Sequence, residues 1–239
     1  MNRVLLNNVD HAELRVAPRI GAEFGDRANQ LPIYPAEFEQ AQRDFPILFR
    51  RDGDSIDAIV LLGLDSDENL FLGEQGWTSR YVPAIQRRGP FSIALARDAD
   101  GGETGEPMVH VDLDDPRVGD DAGLPLFLPH GGDAPYLQHV SAALRTIYEG
   151  AQQARTINAQ LAAAGLLRDV VLEIDLGDEG GYNVPGVLAI DEGALAALPD
   201  AEVVRLHRTG LLRLATMAAA SLSNVSRLIE LKNKQRAAA

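Results

Sequence analysis

An α+β fold is predicted, with an antiparallel strand-rich N-terminal half packed with two long C-terminal helices. Three observations carry it. Short apolar runs split by Gly, Asp and Pro fill the first half, which is the pattern of strands and turns. A long apolar seam at helical spacing starts near Leu137, and a second follows Pro199-Asp200. Between them, two strand-like runs flank a Gly-rich turn.

In chain order, Arg3–Leu6, Leu14–Ala17, Ile47–Phe49 and Ile56–Leu62 read as strands. Pro35 to about Asp44 reads as a helix: proline suits the first helical turn, and Phe38, Ala41 and Phe45 share a face. Arg51-Asp52-Gly53-Asp54 is a hairpin turn, with glycine able to supply positive φ. Asp98 to Pro135 is dense in Asp, Gly and Pro, with one alternating strand at Met108–Leu113. The chain thus reads as a single domain over 1–239, with a candidate internal boundary in 98–135.

Leu137, Val140, Leu144, Ile147, Ala151, Ala154 and Leu161 alternate by threes and fours, so they line one seam of a helix. Asn158 falls on that seam and is expected to be buried and hydrogen-bonded. Gly165 is a C-cap. Val170–Leu176 and Tyr182–Ile190 are a strand pair joined by Gly177–Gly181. A single continuous helix then carries Val204, Leu211, Leu214, Ala218, Leu222, Val225 and Ile229, with His207 near its stripe as a core residue.

Composition narrows the function. The 239 residues are 46% apolar and 24% charged, enough for a real core. The net charge of −13 argues against a nucleic-acid partner, because phosphate binding needs clustered cations. Residues 219–229 have a faint helix-turn-helix flavour, but this charge and the lack of a turn residue oppose DNA binding. Without cysteine there are no disulfides, thiolate metal sites or Cys nucleophiles. The N-terminus lacks the apolar core of a signal peptide, and no run reaches membrane-spanning length. The expectation is a cytoplasmic protein without membrane insertion, signal-independent export staying open. Nucleophile-elbow, phosphate-loop and dinucleotide motifs are missing.

Asn69 to Phe91 concentrates side chains that are scarce elsewhere. It holds the only Trp, a Tyr, two Phe and three Arg in a chain that is 5% aromatic. It reads NLFLGEQGW, then Tyr81-Val82-Pro83-Ala84, then Arg87-Arg88-Gly89-Pro90-Phe91. This pattern resembles the bacterial SapC family, as do an early LRV segment, the Pro35–Phe45 helix and the Leu222–Leu231 stretch. Gly89 departs from it, standing where the family carries an aromatic residue before Pro-Phe. The resemblance implies an accessory protein associated with a surface layer, or with genes for TonB-dependent receptors and flavin-dependent tryptophan halogenases. It supplies no catalytic residues. A peptide-transporter permease shares the family name, but this chain has no span to match it.

Two meanings compete for the motif. The rings anchor a core while the arginines tie down carboxylates or carbonyls, or the cluster is a recognition surface. On the second, Trp77, Arg80, Tyr81, Arg87, Arg88 and Phe91 are the candidate binding residues. A helix starting near Arg80 would place positions 80, 84, 87 and 88 on one side as a basic stripe.

Other candidates are weaker. His110 and Asp112 share a strand face, and His130 or His139 could complete the ligand grammar of a non-haem iron site. Asp65-x-Asp67-x-Asn69 begins like a calcium loop. However, Leu70 replaces the required Gly and Gly76 stands where the bidentate Glu belongs. No cofactor is called for. The function expected is non-catalytic recognition of a protein or peptide partner. The alternative is an uncharacterised enzyme, a metal-dependent oxidoreductase or peptide-modifying protein.

Overall fold

The computed structural model describes residues 2–97, 103–119, 121–175 and 180–237. Contacts group the chain into two compact units, Met1–Ile20 with Ala84–Tyr148 and Gly21–Pro83 with Glu149–Ala239.

The short strands β1 (Arg3–Leu5), β2 (Arg15–Val16) and β3 (Gln30–Pro32) come first. Pro35 then opens a 3-10 turn, Pro35–Glu37, that runs into helix α1 (Phe38–Ala41). The helix starts where the proline places it, and Glu37 returns to accept a hydrogen bond from the Tyr34 amide at 2.9 Å. Strands β4 (Ile47–Asp52) and β5 (Ser55–Leu61) make the expected hairpin. Asp52 lies opposite Ser55, so Gly53 and Asp54 form the loop. Gly53 has φ +55° at its first position, as a type II′ turn requires.

A small hairpin follows, β6 (Leu72–Gly73) with β7 (Gly76–Trp77), then the one-turn helix α2 (Ala84–Arg87). Strands β8 (Phe91–Arg97), β9 (Glu103–Asp112) and β10 (Leu124–Pro125) lead to α3 (Pro135–Ala163). Gly165, at φ +69°, ends α3 by giving its amide to Ala162 O while Leu166 reaches back to Leu161 O. The strand pair is β11 (Leu167–Asp175) and β12 (Gly181–Ile190). Most of its expected turn, like Asp98–Gly102, lies outside the described residues.

The predicted second long helix is broken. After α4 (Glu192–Ala196), α5 (Asp200–Arg208) stops at Gly210, whose φ of +76° cannot continue an α-helix. Helix α6 (Leu211–Ser221) passes through a 3-10 turn at Leu222–Asn224 into α7 (Val225–Ala237). The apolar spacing bridges these breaks, so periodicity alone read straight through the glycine. The seam shifts accordingly. Val204 and His207 are exposed, correcting the core assignment of both, and Leu206, Leu211, Ala215, Ala218 and Leu228 are buried.

In the first unit, β8 and β1 flank β9 in an antiparallel sheet, and β2 pairs with β10. Val16, Phe91 and Val111 from these strands, with Leu126 just after β10, form one core with Leu137, Val140 and Leu144 of α3.

The second unit is built on the antiparallel order β11-β12-β4-β5-β3. Ile47–Phe49 and Ala58–Leu61 are buried without alternation, as in strands covered on both faces. Helix α6 packs on β4 and β12, and Ser221 Oγ accepts the Ile47 amide at 2.8 Å. Asn158, 1% exposed on α3, donates to Ile56 O at 2.8 Å, the buried and satisfied amide that the seam predicts. One turn of the seam is displaced: Ala151 faces solvent and Gly150 is buried.

Gly150 is buried because Tyr34 sits against its Cα; an added Cβ would lie 2.4 Å from Tyr34 Cβ. Alanine is the better helix former by about 1 kcal/mol. Overpacking nonetheless costs about 1–3 kcal/mol, so Gly150→Ala is expected to lower stability in urea unfolding despite its gain in propensity. An unchanged or raised midpoint would show that Tyr34 yields freely.

Candidate functional site

The hairpin β6–β7 and the residues on either side of it place the conspicuous side chains of the motif. Asn69 is buried, and its side chain donates to Asp26 O at 2.7 Å and accepts the Phe71 amide at 3.0 Å. The chain turns back so that the Thr78 amide and hydroxyl both reach Phe71 O. Phe71 packs edge-on to Phe45 at 4.8 Å between ring centres, and Trp77 meets the same Phe45 at 6.4 Å. These rings form a small aromatic core.

The polar ends of Trp77, Arg80 and Tyr81 each reach a buried carboxyl group. Trp77 Nε1 donates to Asp26 Oδ1 at 2.9 Å, and the Gly21 amide takes the other oxygen at 2.9 Å. Arg80 serves Asp44 twice, through its amide on Oδ2 and its Nε on Oδ1, each at 3.0 Å. Tyr81 Oη donates to Glu37 Oε1 at 2.7 Å. The three acids are 5%, 1% and 2% exposed for Asp26, Asp44 and Glu37. Burying such groups without donors is costly, so the motif residues are what allows them inside.

Trp77 and Tyr81 are half-buried. Arg80 differs: its side chain is 67% exposed although fixed to Asp44 and to Arg43 O. It precedes α2, which begins only at Ala84, so the expected basic stripe on one helix does not form. Pro83 closes the extended segment, and a helix does not readily include the residue before a proline.

Arg87, Arg88 and Phe91 belong to the first unit. Both arginines are half-buried, and Arg88 Nη1 donates to Phe91 O at 2.8 Å. Phe91 is fully buried and packs edge-on to Tyr136 at 6.4 Å. Gly89 follows α2 at φ +54°, a left-handed position that glycine adopts without strain. Burial holds the Tyr136 hydroxyl above its ordinary pKa. The Arg117 hydrogen bond draws the Asp115 carboxyl below its own.

His110 and Asp112 lie on β9. His110 Nδ1 is 3.3 Å from Met108 O, and Asp112 Oδ1 accepts the Asn2 and Asp114 amides. His130 and His139 are exposed. Among the described residues, no three His, Asp or Glu groups are arranged to hold a metal ion.

A cleft of ≈ 490 Å³ opens in the second unit, beside the start of the motif. Asp65, Asp67, Glu68 and Glu74 line it, with Arg27 and Gln235. At its edge Lys232, 5% exposed, donates from Nζ to Asp65 Oδ2 at 2.6 Å and to Glu68 Oε1. Burial opposes the Lys232 charge, but hydrogen bonds and charges from the two acids outweigh it and raise its pKa. The Lys232 hydrogen bond lowers that of Asp65. Sequence reasoning missed Asp26, Asp44 and Lys232 because each meets its partner across long stretches of chain. Glu37 had a local sign, since Tyr-Pro-Ala-Glu places an acid three residues past a helix N-cap.

The family model described as SapC matches residues 6–228 of the chain. No curated protein and no solved structure matches it.

Two expectations follow. Trp77→Phe keeps the ring but strips a donor from Asp26. Removing such a partner costs about 1–3 kcal/mol, readable as a lower urea midpoint; an unchanged midpoint would mean that water replaces the indole. The second concerns pH. The Lys232 contribution is complete below the ordinary lysine value of 10.5 and lost as pH rises through the raised folded value. The Asp65 contribution is complete above 3.8 and lost as pH falls through its lowered folded value. Urea midpoints of Lys232→Met should therefore show the largest deficit between these limits and converge on wild type at the alkaline end. A deficit independent of pH would leave only packing.

Proposed function

The chain belongs to the SapC family, and we propose that it is a non-catalytic recognition protein that takes a protein or peptide partner. Trp77, Arg80 and Tyr81 are the proposed contact residues in the second unit. Arg87 and Arg88 are proposed as accessory contacts of the first, with Phe91 supporting them from its core.

The observation that carries this is Arg80. Its side chain is two-thirds exposed, yet the Asp44 carboxylate and the Arg43 carbonyl hold the guanidinium in place. An exposed arginine normally loses rotamer freedom when it binds. One already fixed loses less and presents its outer edge ready for a carboxylate or an aromatic face. The half-buried rings of Trp77 and Tyr81 flank it in sequence and supply rigid contact area. A peptide-recognition role also suits the company that the resemblance implies, TonB-dependent receptors and tryptophan halogenases.

Arg80→Lys tests this with the fold preserved. Lysine keeps a positive charge for Asp44 but lacks the planar fork. Partners captured from the native host by the wild-type chain should bind the variant about tenfold more weakly, a loss of about 1.4 kcal/mol, at a similar thermal midpoint. Equal capture by a folded variant would assign Arg80 to Asp44 alone and overturn the proposal.

A further inference from the structure

The end of the last helix is fastened differently from the rest of the second unit. Only Leu228 and Lys232 of α7 are buried, so beyond Leu228 the one fully covered side chain is a cation. Lys232 and Lys234 are the only lysines in a chain with 22 Lys and Arg in total, and one of them occupies this interior position. Its Nζ meets Asp65, Glu68 and, at 3.3 Å, Gln235 Oε1.

Tyr182, on β12, completes the contact. Lys232 Nζ and Arg236 Cζ each lie 5.6 Å from its ring centre. The Tyr182 hydroxyl donates to Asp65 Oδ2 at 3.1 Å and accepts from Arg236 Nη2 at 3.2 Å. Ile229 and Leu231 are still partly buried, but from Lys232 onward the helix end carries no large apolar side chain and is held by hydrogen bonds, ion pairs and cation–π contacts. Gln235, one turn along, is part of the wall of the ≈ 490 Å³ cleft lined by Asp65, Asp67, Glu68 and Glu74.

We propose that the end of α7, from Lys232 to Ala237, is a polar latch on the rim of the acidic cleft, which detaches as a unit while the sheet stays folded. Its physical basis is the difference in anchoring. The sheet opens only with loss of the core of β4 and β5, whereas the helix end opens when Lys232 leaves two carboxylates and Arg236 leaves Tyr182, without uncovering that core. Detachment widens the cleft on the Gln235 side. It also leaves Asp65 and Glu68 without their cation, so opening and the negative charge of the cleft rise together. The proposal is independent of Arg80 and of any partner it takes.

Hydrogen exchange resolved by residue tests it. In Lys232→Gln, amides of Lys232–Ala237 should exchange about tenfold faster while those of β4 and β5 change less than about twofold. Lys232→Arg should recover most of the protection, and Lys232→Met should not. Unchanged protection in Lys232→Gln, equal acceleration in β4 and β5, or full protection in Lys232→Met would each overturn the latch. Should the Lys232 variants fail to fold, Asp65→Asn releases the same contact from the other side. Asp65 is half-exposed, and its removal should give the same selective acceleration.

Discussion

The second unit depends on placing three carboxyl groups inside and giving each its donors from one short stretch of chain. Asp26, Glu37 and Asp44 lie before the strands β4 and β5, and Trp77, Tyr81 and Arg80 come after them. Each bond therefore closes a loop of 36 to 51 residues around the hairpin. An unmatched buried carboxyl would cost several kcal/mol, so the two segments can only be ordered together. The aromatic packing of Phe45, Phe71 and Trp77 supplies the apolar part of the same junction.

That constraint changes what the aromatic and arginine-rich motif means. Its rings and N–H groups are first of all internal ties: Trp77 and Tyr81 each spend their single polar hydrogen on an acid within the unit. Arg80 is a multiple donor whose side chain is mostly in solvent. On the proposed reading, the two meanings of the motif meet in this one residue. What fixes Asp44 also orients the guanidinium, as a shell of supporting contacts orients any binding group.

Elements governed by local chemistry were legible in the sequence. Pro35 gave a helix start, Gly53 a hairpin, Gly165 a helix end, and the spacing around Asn158 a buried seam. The failures have separate causes. Apolar spacing carries phase but not continuity, so Gly210 could break a helix without breaking the pattern. The same ambiguity put Val204 and His207 on the wrong face. Arg80 was drawn into a helix by its spacing from Arg87 and Arg88, although that helix starts only at Ala84. Tertiary pairings such as Asp26 with Trp77 have no local spacing at all. The motif was visible as a concentration of unusual side chains, but its partners were ordinary acids scattered through an acidic chain.

Arg80 and Lys232 show why two cations that each pair with acids act differently. Arg80 keeps its head in water, and its fork reaches a carboxylate and a carbonyl together. Desolvation there is slight, so the group stays available. Lys232 is a compact ammonium taken almost wholly out of water, and two acids plus a tyrosine ring must replace its hydration. A buried ion pair gives little net stability over an apolar contact of the same shape, yet losing one partner is strongly unfavourable. Such a contact is therefore either complete or undone, with little advantage in between. An apolar helix end would loosen gradually as its side chains slipped. Charge at this position instead makes attachment of the helix end depend on Lys232 keeping both of its carboxylates.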